Sequence, residues 1–200
     1  MTEGPSASDF MRYFGQHIAA LERFMSAPAT VDAVGAALSL LAEVRAPLLM
    51  IGLGKSGAVA RKLASTFTTA GIPALFLHAS DALHGELGWA QVGQGALLIS
   101  RGGRTREVVQ VATILGQRGC ARVVITGDPE SPLARQADAL IHAGVADEAV
   151  PFGRLPTAST TLHQAIGDAL LAALLSARPE LSRGLADNHP AGTPDVGATR

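Results

Sequence analysis

Met50 to Leu63 reads MIGLGKSGAVARKL, with glycines at 52, 54 and 57 and with Lys55 and Ser56 set between them. Glycines at this spacing permit a tight strand-to-helix turn and a close approach of backbone to an anion. Three chemistries could use it. A triphosphate loop of the GxxxxGK[ST] type needs a glycine at position 49, and Leu49 stands there. A dinucleotide loop needs a carboxylate about 20 residues further on to hold a ribose, where this chain has His78, with Asp81 a little late. The third reading uses every residue: Gly52 and Gly54 shape the turn, and Ser56 starts a helix whose N–H groups, hydroxyl and dipole meet a phosphate. Lys55 adds a full charge beside that cradle. The plainer account is a turn built for backbone reasons with Lys55 solvated.

Other segments extend the cradle. Ser100-Arg101-Gly102-Gly103-Arg104-Thr105-Arg106-Glu107 opens a second helix, with Thr105 as cap or phosphate ligand and Glu107 in the dipole-favoured first turn. Pro156-Thr157-Ala158-Ser159-Thr160-Thr161 supplies a third hydroxyl-rich helix start. Three such starts in one sheet protein predict convergence on one phosphate. Leu83-His84-Gly85-Glu86 and Asn188-His189-Pro190 also stand out, while His17, His78, His142 and His163 read as structural or solvated.

The elements that must position these residues follow from hydrophobic periodicity. Short apolar runs at 47–51, 74–77, 96–99, 122–125 and, less clearly, 139–142 read as buried parallel strands. Helical patterns at 56–69, 105–117 and 159–177 alternate with them, and residues 133–136 form about one helical turn. The rhythm predicts a doubly wound α/β fold: a five-stranded parallel sheet with its sites at the carboxyl ends of the strands. Two core-packing helices, 10–25 behind a Ser8-Asp9 cap and 30–44, precede it within residues 1–45. The first eight residues read as frayed and 187–200 as an irregular tail, all within a single domain of 200 residues.

Composition narrows the function classes. Sixteen Lys+Arg against 17 Asp+Glu gives no basic field for nucleic acid or an anionic membrane. The single cysteine, Cys120, excludes an intrachain disulfide framework and a cysteine-rich zinc site. Without a signal peptide or an apolar run approaching ~20 residues, the expected address is cytoplasmic. Hydrophobic residues make up 48% of the chain, which suggests that part of the surface is covered in an oligomer.

The blocks GLGKSG (52–57), HGELG (84–88), ISRGGRTRE (99–107), PTASTT (156–161), GDALLAAL (167–174) and NHPAG (188–192) together resemble the SIS-domain sugar-phosphate isomerases, most closely the D-arabinose 5-phosphate isomerases, from about residue 10 to 192. The resemblance implies the SIS fold, no cofactor and no metal, a homotetramer with sites shared between subunits, and a form lacking the CBS modules that often follow this domain. It implies interconversion of D-ribulose 5-phosphate and D-arabinose 5-phosphate through an enediol or enediolate. A 6-phospho-3-hexuloisomerase, a phosphoheptose isomerase and a non-catalytic sugar-phosphate sensor are the alternatives. Lys55, Glu107, Glu148 and His189 match the family's isomerase centre, with either glutamate as base. Gly54, Ser56, His84, Ser100, Arg101, Gly102, Arg104, Thr105, Thr157, Ser159 and Thr160 fall to substrate binding. The chain departs from the family at Gly102, where a serine hydroxyl is missing; Arg101 and Arg104 flank that gap as possible charged replacements. HPGG has become His189-Pro190-Ala191-Gly192.

Overall fold

The computed structural model describes residues 4–184, 188 and 189. Helices α1 (Ala7–Ser26) and α2 (Thr30–Glu43) lead into β1 (Arg45–Gly52), α3 (Gly54–Thr69), β2 (Ala74–His78), α4 (Ala79–Leu83) and β3 (Gln94–Ile99). Then follow α5 (Arg106–Gln117), β4 (Ala121–Thr126), β5 (Ala139–His142) and α6 (Ala158–Ala177). Short 3₁₀ turns lie at Glu86–Trp89, Ala134–Gln136 and Pro179–Gly184. All strands are parallel, in the order β2-β1-β3-β4-β5.

The apolar runs are apolar because both faces of the sheet are covered. Met50, Leu97, Ile99, Val123 and Ile125 pack with residues of α2, α3 and α6, such as Leu41, Leu63, Phe67 and Leu170. The intervening Leu49, Ile51, Ala96, Leu98 and Val124 pack with Val108, Val111 and Leu115 of α5 and Ala82 of α4. Each large side chain so buried contributes about 1.5–3 kcal/mol. Gly167 belongs to the same logic, since a Cβ there would overlap the side chain of Leu63 and push α6 away from α3. Cys120 is buried beside α5; burial pushes its thiol pKa up, partly offset by Arg118 and Arg122, and its Sγ donates to the Gln91 carbonyl.

Several boundaries differ from expectation. The cap of α1 is Ser6, whose Oγ accepts from the Asp9 N–H at 3.0 Å, so the helix begins at Ala7 within the segment expected to fray. Helix α3 starts at Gly54, and Lys55 and Ser56 sit in its first turn. Strand β1 reaches back to Arg45 through Pro47; proline cannot donate to the ladder, and the pairing with β3 shifts register between Arg45 and Leu49. The five-residue α4 is too short to show a period. Helix α1 departs most from the core-packing expectation: Ala20 is its buried residue, and Phe10, Phe14 and Ile18 form an exposed stripe. The tail expected to be irregular lies outside the described residues, apart from Asn188 and His189. No single helix among the described residues is long and apolar enough to cross a membrane.

Gly52 is fixed by contact, because a Cβ there would lie 2.8 Å from the backbone of Ser56. Gly52→Ala should therefore cost about 1–3 kcal/mol in denaturant unfolding. Gly102→Ala, with nothing within 4 Å of the added carbon, should stay within about 0.5 kcal/mol.

Candidate functional site

Neighbouring strands β1 and β3 send their helices to opposite faces, α3 to one and α5 to the other. A doubly wound sheet opens at such a switch point. The cleft found there has a volume of about 210 Å³ and is bordered by Leu53, Lys55, Ser56, Ser100, Arg101 and Thr105, together with Ile99, Gly102 and Pro156.

The first wall is the β1–α3 turn. Gly54 has φ +57°, a conformation that favours glycine, and turns the chain straight into α3. The early N–H groups of that helix, with Lys55 and Ser56, are thereby presented at the cleft. Lys55 is exposed, and its side chain forms no hydrogen bond or ion pair with another described residue.

The second wall is the β3–α5 loop, held against the end of β4. Gly127 N–H donates to the Arg101 carbonyl at 2.8 Å, and Leu133 N–H donates to the Gly103 carbonyl at 3.1 Å. Gly103 has φ +59°, and a Cβ there would overlap Ser131. The Ser100 and Thr105 hydroxyls lie 3.3 Å apart at the cleft, and Thr105 caps α5 without a side-chain bond to its own helix.

The third helix start behaves differently. Glu148 is 1% exposed, and its carboxylate accepts the Thr157 N–H at 2.9 Å, the Ser159 N–H at 3.0 Å and the Ser159 hydroxyl at 2.6 Å. Arg101 Nε forms an ion pair with its Oε1 at 2.6 Å. The N–H groups expected to grip a phosphate here are thus taken by a carboxylate of the same chain, an anion at a helix N-terminus. Burial would raise the Glu148 pKa; the Ser159 hydroxyl, the two N–H groups and Arg101 outweigh it and hold the carboxyl below its ordinary range. That direction opposes a role as a base near neutral pH.

The remaining residues divide clearly. Glu107 is half-buried in the first turn of α5 and makes no side-chain hydrogen bond or ion pair with a described residue. Arg104 is drawn away from the cleft by Asp128, its Nη2 donating at 2.8 Å. Thr160 donates to the Thr157 carbonyl at 2.9 Å, and the Thr157 hydroxyl is buried without a partner. His84 is an exposed residue at the end of α4. His189 is exposed too, and its neighbour Asn188 donates to the Thr69 carbonyl at the far end of α3 from Lys55. Sixteen helical residues span about 24 Å, so the chain does not bring its own His189 to its own cleft.

Sequence reasoning missed the Arg101–Glu148 pair and the burial of His163 beneath it. No spacing signals either, since the tertiary fold alone joins the β3–α5 loop to α6. His163 is 0% exposed. Burial lowers its pKa to about 4, against the pull of Glu148 and of the nearby Ala143 carbonyl, and Arg101 lowers it further. Neither ring nitrogen makes a hydrogen bond of ordinary geometry.

A family model described as the SIS domain matches residues 40–173, which hold all five strands and both walls of the cleft. The chain belongs to the SIS-domain family. It is 38% identical over 156 residues to the arabinose 5-phosphate isomerase KdsD of Pseudomonas aeruginosa, covering 78% of this chain and 48% of that protein. It is 40% identical over 145 residues to KdsD of Escherichia coli strain K12, covering 72% and 44%. The chain thus spans about half the length of the curated relatives it matches. Among solved structures, a protein of E. coli CFT073 in complex with A5P superposes with a TM-score of 0.84 at 28% identity, covering 93% of this chain and all of that one. The five-stranded parallel sheet between helices is the fold of these SIS neighbours.

Two acid-range effects follow from the buried groups of this SIS domain. His163 has a folded pKa of about 4, below its ordinary 6.5, so it stabilises fully above pH 6.5 and loses that contribution as pH falls toward 4. The slope approaches about 1.4 kcal/mol per pH unit. Glu148, also lowered, adds a further loss below the ordinary carboxylate range. Unfolding measured across this range should show the His163 slope in the wild type and not in His163→Leu.

Proposed function

We propose that this SIS domain isomerises a phosphorylated sugar between aldose and ketose forms, with D-arabinose 5-phosphate and D-ribulose 5-phosphate as the pair. The observation that carries the reading is the switch-point cleft, where Lys55, Ser56, Ser100 and Thr105 share one small opening. An anion-binding rim of this kind anchors a phosphate and holds the reacting carbons in register. The relatives support the choice of sugar, being named arabinose 5-phosphate isomerases.

Glu107 takes the proton from C2 of the aldose and returns it to C1, while the hydroxyl proton of O2 passes to O1. Its carboxylate is uncommitted, whereas Glu148 already has four donors. Lys55 stabilises the charge that develops on the enediolate oxygen. His189 assists ring opening from a second copy of the chain, and His84 borders the sugar. The exposed Phe10, Phe14 and Ile18 stripe of α1 is the surface such a copy would cover in a homotetramer with shared sites.

Purified protein should interconvert the two pentose phosphates, and Glu107→Gln should lower turnover about a hundredfold or more. Inactivity of the wild type on pentose, hexose and heptose phosphates would remove the enzyme reading. Lys55→Ala and His189→Ala, each inactive alone, should recover activity when unfolded together and reassembled. Hybrids as inactive as their parents would show that the site is not shared.

A further inference from the structure

Of the two arginines that flank Gly102, only Arg101 borders the cleft; Arg104 is held away by Asp128. Arg101 is about half exposed, yet it is fixed at two points. Its carbonyl accepts the Gly127 N–H, and its Nε meets a fully buried carboxylate oxygen of Glu148. Beside it, Gly102 leaves open space within 4 Å of where a side chain would begin. A residue carrying a charged, planar donor group therefore borders the cleft next to the position where the family's serine hydroxyl is missing, with its Nε turned to Glu148.

We propose that Arg101 is a specificity-determining ligand for the substrate's phosphate and that Glu148 is its positioning residue. The inference rests on the sugar-phosphate reading of the same cleft and deepens it by naming the charged group that selects the phosphate. Glu148 suits the positioning part. Its oxygens are occupied by Ser159, by the Thr157 N–H at the start of α6 and by Arg101, and the proposed reaction assigns the proton transfer to Glu107 instead. His163, packed behind it, is neutral above about pH 4, so among the described residues Arg101 is the countercharge that meets the buried carboxylate. A guanidinium anchored at one edge loses less freedom when it meets an anion than a free surface lysine would.

The test uses inorganic phosphate as the probe, titrated calorimetrically against the whole chain, alongside steady-state kinetics with D-arabinose 5-phosphate. Arg101→Gln should weaken phosphate binding about tenfold to a hundredfold and raise KM more than it lowers kcat. Glu148→Gln should shift KM in the same sense only while Arg101 is present, so the double variant is no worse than Arg101→Gln. Arg101→Lys, which keeps the charge and loses the planar contact, should fall between wild type and Arg101→Gln, and it serves as the check if Glu148→Gln fails to fold. Unchanged phosphate affinity in Arg101→Gln overturns the proposal. So does a collapse of kcat in Glu148→Gln that is equally large without Arg101. A wild type that binds phosphate through Arg101 yet turns over no sugar phosphate would refute the isomerase reading and leave this one standing.

Discussion

Strands β1 and β3 lie side by side, and the chain leaves them toward opposite faces of the sheet. No helix can roof the gap this creates, because α3 and α5 diverge from it. Two helix beginnings are left looking into one opening, each with backbone N–H groups that its own helix cannot satisfy. The glycines at 52, 54 and 103 follow from the same constraint, one through close backbone contact and two through positive φ. The cleft is thus a product of strand order, and side chains only furnish it.

The third helix near the opening is managed by a different device. A carboxylate taken out of water must collect donors or lose its charge. Glu148 collects them from the start of α6 and from Arg101 across the sheet edge. One buried charge therefore ties the β5–α6 connection, the first turn of α6 and the β3–α5 loop into a single unit. His163, uncharged behind it, leaves Arg101 as the balancing cation.

Most of the architecture was legible in the sequence, because a covered parallel sheet writes itself as short continuous apolar runs. Strand β5 matched residue for residue, and β1 was lengthened at both ends, back to Arg45 by its irregular stretch and forward by Gly52. The walls of the cleft were legible for the same reason, since Lys55, Ser56, Ser100 and Thr105 follow strand ends. What spacing could not convey was pairing at a distance. Glu148 reads as one more acid in a loop until the fold sets it under α6. Arg101 and Arg104 look equivalent until Asp128 takes one of them. Helix α1 has the periodicity of a core helix, and periodicity does not say whether the apolar stripe meets the core of its own chain.

Cys120 has a practical consequence. Its thiol is shielded by α5, shifted away from the reactive thiolate and engaged with the Gln91 carbonyl. Alkylating reagents that need an accessible thiolate will pass it by. A cysteine introduced on the rim of the cleft would then be the one site to label, and a fluorophore there would report ligand arrival without removal of the native sulfur.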